Sequence, residues 1–147
     1  MNRTEANIIV TRDVSEYRAT IPQCVNEDDV VLEVGCAQGT TTRKIWEHCK
    51  DVTGIDKGKS ILKAIENYPE IRFEQMDGFD LSGIRRLGKQ FSKIYIDISG
   101  NRDPVDVLRM IRKHEAVFKP ELIVVKSSKL LKMLRKFTIW DDRSMSL

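Results

Sequence analysis

Five ionisable residues stand at or near the ends of short apolar runs, and between them they could bind a ligand and move a proton. Glu33 lies in VVLEV (30–34), just ahead of the loop GCAQG; Asp56 follows DVTGI (51–55) and Asp77 follows IRFEQM (71–76). Asp97 falls in KIYIDI (93–98), and Lys126 follows LIVV (122–125). The loop from Gly35 to Gly39 then takes on helical spacing, and glycines there let ligand atoms approach the backbone. In a dinucleotide loop the pattern is G-x-G-x-x-G, whereas here Ala37 gives G-x-A-x-G. A carboxylate two residues ahead of the loop would repel a pyrophosphate, so Glu33 suits a ligand with a cationic end. Asp97 and Lys126 suit a different task. A lysine held partly out of water and oriented by an aspartate can deprotonate or polarise a hydroxyl.

These residues need a scaffold that brings run ends together. The apolar runs read as strands. TTTRKIWEHCK, KSILKAIENY and DPVDVLRMIRKHEAVF have helical periodicity between them, the last with Val105, Leu108, Ile111 and Phe118 as its apolar positions. That helix opens with Asp103 as cap and Pro104 at its first position. The alternation β-α-β-α-β-α-β-α-β predicts an α/β fold: a doubly wound, mostly parallel Rossmann-like sheet with helices on both faces. In such a sheet ligands bind beyond the carboxyl ends of the strands, where these residues stand, together with Ser99, Gly100 and Asn101 after the fourth run. A short strand, ANIIVT, and a helix, SEYRATIPQCV, precede the alternation. A basic helix, SKLLKMLRKF, follows it and is expected to dock Leu130, Leu131 and Leu134 on the sheet.

At 147 residues the chain is read as a single domain, 1–147. Cys24, Cys36 and Cys49 are odd in number and form no C-x-x-C pair, so they read as reduced structural thiols. His48 and His114 read as solvated helix positions, and no metal site is expected. No apolar run approaches the roughly 20 residues that span a bilayer, and the start lacks a signal-peptide core, which predicts a cytoplasmic protein without membrane association. Charge is uneven: residues 1–80 carry a net −5 and residues 81–147 a net +8. The basic half could face an anionic partner.

LEVGCAQG, VTGID and FEQMDGFD, in register on three successive strands, resemble the first three motifs of class I S-adenosylmethionine (SAM)-dependent methyltransferases. Asp56 lies 23 residues beyond Glu33, close to the roughly 20 expected in one βαβ unit. The resemblance implies SAM as cofactor, with Glu33 and the loop Gly35, Cys36, Ala37 and Gly39 at its methionine end. It further implies Asp56 on the ribose, Asp77 on the adenine amino group, and Met76 or Lys57 beside the purine. IYIDIS is also similar to divalent-metal O-methyltransferases, but Lys126-Ser127 replaces their further acidic ligand, and an ammonium repels a metal. Asp97 and Lys126 resemble two members of the Lys-Asp-Lys-Glu tetrad of ribose 2′-O RNA methyltransferases; where the first lysine would lie, the chain offers only Arg18. This implies methyl transfer to an oxygen, with RNA as acceptor. Arg102, Arg109, Arg112, Lys113, Lys129, Lys132, Arg135 and Lys136 would contact phosphates, and Tyr95, Phe137 and Trp140 are the aromatic residues available for stacking. A small-molecule O-methyltransferase and a catalytically silent SAM-binding partner subunit are the alternatives. The family continues past its fifth strand with an antiparallel pair that this chain is too short to supply, so a truncated sheet, or one completed by a homodimer or partner subunit, is expected.

Overall fold

A computed structural model of the chain describes residues 5–98 and 101–143, so Ser99 and Gly100 lie outside the described residues. Six strands form one sheet: β1 (Asn7–Thr11), β2 (Val30–Val34), β3 (Asp51–Asp56), β4 (Arg72–Gln75), β5 (Lys93–Ile96) and β6 (Leu122–Lys126). The order across the sheet is β1-β6-β5-β2-β3-β4, with every pairing parallel. Strand order therefore reverses between β2 and β5, which is where an open α/β sheet forms its crevice.

Alternation along the strands sends side chains to two cores, as burial on both faces requires. On one face Val31, Val52, Tyr95 and Val124 pack with Tyr17 of α1 (Val14–Ala19), Ile21 of α2 (Ile21–Cys24), Ile45 of α3 (Thr40–Cys49) and Ile61 of α4 (Ile61–Asn67). On the other, Leu32, Ile94, Ile96 and Ile123 pack with Ile84 of α5 (Leu81–Arg85), Met110 of α6 (Pro104–Phe118) and Leu130 of α7 (Ser128–Leu134). The cap expected on α6 forms: the Asp103 side chain accepts from the Val105 N–H, with Pro104 in the first turn.

Four expectations need correction. The place beside β6 is occupied by the chain's own β1, which pairs with it from Asn7↔Leu122 to Thr11↔Lys126, so no partner is needed to cover β6. On α6 the buried face is Val107, Met110, Ile111, His114 and Phe118, leaving Val105 and Leu108 exposed. His114 is fully buried rather than solvated, with Nε2 2.8 Å from the Gly78 carbonyl oxygen and its ring tilted against Phe118. Burial pushes its pKa below the ordinary 6.5. Since a carbonyl only accepts, the ring donates from Nε2. On α7, Leu130 docks as expected while Leu134 is exposed.

At the amino-terminal edge of the sheet Lys93 is buried, its Nζ 2.7 Å from Asp29 Oδ2 and also donating to the Cys24 carbonyl. The pair ties the loop before β2 to β5, the two strands that flank the crevice. Lys93→Met would leave Asp29 buried without its counter-charge and is expected to cost about 3–5 kcal/mol. Urea unfolding checks this, and a loss under about 1 kcal/mol would show the pair to be dispensable.

Candidate active site

A cleft of about 340 Å³ opens at the carboxyl ends of β2, β3, β4 and β5. Of the residues expected there, Gly35, Ala37, Asp56, Lys57, Met76, Asp77 and Asp97 line it, joined by Val34, Gly78, Phe79, Ile98, Arg102 and Met110. A contiguous inner lobe of about 310 Å³ shares Gly35, Ala37 and Asp97 and adds Glu33, Cys36 and Arg18. Backbone hydrogen bonds beyond the regular strands hold the rim: Gly35 and Cys36 N–H donate to the Ile55 carbonyl, Asp97 N–H to that of Val34, and Met76 N–H to that of Asp56.

The loop glycines are demanded by the fold itself. Gly35 has φ +83°, and a Cβ there would fall 1.8 Å from the Asp97 carbonyl oxygen. Gly39, at φ +86°, lies under the Phe73 ring, which a Cβ would meet at 2.8 Å. The fold itself thus requires glycine at both positions, whatever a ligand needs. Close approach of β2 to β5 requires the first, and packing of the α3 start against β4 requires the second. Ala37 adopts φ +47°, and its N–H donates to Asp56 Oδ2 at 2.8 Å. Asp56 Oδ1 accepts from the Gly58 N–H at 2.7 Å. One carboxylate therefore joins the first loop to the end of β3, and each oxygen keeps a second lone pair for a ligand hydroxyl. Asp77 is exposed at the rim, with Oδ1 accepting from the Phe79 N–H at 2.9 Å.

Glu33 is 1% exposed, with Oε2 accepting from Tyr17 Oη at 2.9 Å and Oε1 from Thr42 Oγ1 at 2.6 Å. Burial raises its pKa to about 7 against the pull of those hydroxyls. Cys36 is buried, and its thiol is pushed up by burial and by the Glu33 and Asp56 charges, which keeps it protonated. Lys126 is not among the residues that line the cleft or its lobe; its Nζ lies 3.2 Å from Asp97 Oδ1, with both side chains about one-fifth exposed. Its strand is fixed by β1, where Thr11 Oγ1 donates to the Val125 carbonyl and Ser127 N–H to that of Thr11. Tyr95, counted as a stacking residue, is fully buried against Tyr17, whereas Phe137 and Trp140 are exposed.

No protein-family model matches the chain, and no curated protein matches it. Solved structures do. A SAM-dependent methyltransferase from Anabaena variabilis ATCC 29413 superposes with a TM-score of 0.58 at 16% identity, over 77% of this chain and 50% of that one. An rRNA methylase from Streptococcus thermophilus gives 0.61 at 14% identity, over 90% and 82%. A dimethyladenosine transferase from Plasmodium falciparum gives 0.62 at 15% identity, over 90% and 47%. The chain has the fold of the class I methyltransferases. It spans about half the length of the Anabaena and Plasmodium proteins.

Within this fold, sequence reasoning missed Gly78 and Met110, and named Arg18 and Arg102 only for other roles. Arg102 and Gly78 fall in loops beside predicted sites and were within reach; Arg18 enters from a helix outside the βαβ alternation, and Met110 reads as core. The Glu33 carboxyl also sets a pH dependence. Its folded pKa lies above the ordinary 4.5, so the stability it contributes is fully present below about pH 4.5 and is lost as pH rises through about 7. Glu33→Gln should remove this loss of about 3 kcal/mol, so that denaturation between pH 5 and 8 gives a flatter profile than the parent. Parallel profiles would show that Glu33 titrates alike in the folded and unfolded chain and that burial does not raise its pKa.

Proposed function

We propose that the chain binds SAM in this cleft and transfers its methyl group to an oxygen, with RNA as the acceptor. The observation that carries the reading is that Asp56 and Asp77 line the cleft at the switch point while Glu33 lines the lobe beside it, the two sharing Gly35, Ala37 and Asp97. Carboxylates on three strand ends disfavour a pyrophosphate and favour a ligand that offers a cation and hydrogen-bond donors. Asp56 would accept from the ribose hydroxyls and Asp77 from the adenine amino group, with Met76 and Lys57 beside the purine. Glu33, behind the loop, would balance the cationic end. The likeness to a SAM-dependent methyltransferase and to an rRNA methylase supports the same reading at the level of fold.

The cofactor supplies a methyl group already activated on sulfonium, so this chain's residues must align an acceptor and relieve it of a proton. Asp97 lines the cleft and holds Lys126 by an ion pair at 3.2 Å. Lys126 would take or polarise the hydroxyl proton, and Asp97 would orient it. Arg102, on the cleft wall, and Lys129, whose Nζ donates to the Asn101 carbonyl at 3.2 Å, bring positive charge to the acceptor side. A second reading, a SAM-binding subunit of a larger assembly, is favoured by the exposed Phe137, Ile139 and Trp140.

Incubation of RNA and of small-molecule extracts with radiolabelled methyl donor tests the proposal: label is expected in RNA and absent from the small molecules. Lys126→Ala is expected to slow transfer by roughly 10²- to 10⁴-fold, and full activity in that variant would remove the base role. RNA affinity should fall linearly on a log-log plot against salt, with a slope of about −0.7 per phosphate contacted in single strands. A flat response would favour a small-molecule acceptor.

A further inference from the structure

One buried side chain has no task in the reading above. His114 is fully buried on α6, one turn beyond Met110, and both residues meet Gly78 in the wall of the cleft. His114 Nε2 donates to the Gly78 carbonyl at 2.8 Å, while a Cβ on Gly78 would fall 3.0 Å from Met110 Cε and 2.4 Å from Val34 Cγ1. Gly78 directly follows Asp77, past the end of β4. Among the described residues β4 is an edge strand that pairs with β3 alone, so the sheet gives the segment after it little support. The 15-residue α6 supplies that support from outside the strand.

The ring is poorly suited to packing alone. Its Nδ1 is buried with no hydrogen-bond partner among the described residues, whereas a phenyl ring would fill the same place against Phe118 with no polar atom to satisfy. What histidine adds is one donor, directed at the peptide that follows Asp77. Burial favours the neutral ring, so this donor brings no charge into the core. We propose that His114 is a positioning residue, which through Gly78 fixes the angle at which the Asp77 carboxylate meets the adenine amino group and so sets selectivity for the base. The inference rests on the SAM reading and extends it to a side chain outside the cleft. Asp77 is exposed, with Oδ1 accepting from the Phe79 N–H, so the direction of Oδ2 depends on how the backbone is held. A carboxylate discriminates an amino group from a carbonyl oxygen only while its own position is fixed; one free to swing away tolerates either.

Two ligands that differ at one position of the base separate this role from simple support of the fold. S-adenosylhomocysteine carries the adenine amino group, whereas S-inosylhomocysteine carries a carbonyl oxygen in its place. In calorimetry on the full chain, the parent is expected to favour S-adenosylhomocysteine by roughly tenfold or more. His114→Phe keeps a ring and removes the donor, and should bring that preference below about threefold, through lost affinity for S-adenosylhomocysteine. His114→Gln offers an amide N–H donor of similar reach and should recover part of the preference. His114→Leu carries the same comparison should the phenylalanine variant fail to fold. Weakening of both ligands by one factor, as a packing role alone would give, overturns the assignment, as does unchanged affinity for both. A parent that binds the two ligands alike removes the Asp77 contact and the inference with it. A parent chain that binds neither overturns the cofactor reading itself.

Discussion

A carboxylate inside the sheet is the constraint around which the site is built. Glu33 sits in the central strand β2, beside Gly54 of β3 and Tyr95 of β5, with almost no contact with water. A charge there is costly unless it is solvated by the protein. Tyr17 from α1 and Thr42 from α3 provide two hydroxyl donors, so one acid fixes the placement of two helices against the sheet. The pKa of about 7 shows that the compensation is incomplete. A cationic group in the adjoining lobe would complete it, which couples the folding cost of Glu33 to the choice of ligand.

The same economy of contacts governs the mouth of the cleft. Gly35 brings β2 against the backbone at Asp97 with no room for a Cβ, and this contact lies at the reversal of strand order. Asp56 links the first loop to the end of β3 through the Ala37 N–H. On the far side β1 pairs alongside β6 and ends level with Lys126, so that the lysine opposite Asp97 projects from a strand hydrogen-bonded on both sides. A segment outside the βαβ alternation thus supports the acceptor side, and α1, which follows it, brings Tyr17 and Arg18 to the inner lobe.

The five central strands and the α6 cap were legible because short runs of Val and Ile bounded by turns, and an Asp-Pro start, are local signals. The residues at the strand ends followed from the rule that parallel sheets bind ligands at their carboxyl edge, and seven of them line the cleft. The destination of β1 was not legible, since pairing across more than a hundred residues leaves no local trace. His114 sits between charged neighbours in sequence yet turns inward, because the buried face of α6 runs through Val107, Met110 and Ile111. At the glycine loop the steric demands from Asp97 and Phe73, invisible in one dimension, add a requirement for glycine that the sequence does not show.

The central claim is that three strand-end carboxylates select a cationic, phosphate-free cofactor. Calorimetric titration of the chain with SAM and, separately, with NAD⁺ at equal concentrations tests it most directly. Saturable binding of SAM with no heat from NAD⁺ is the predicted result. Binding of NAD⁺ in preference to SAM would contradict the account, because it would place a pyrophosphate beside Glu33 and Asp56.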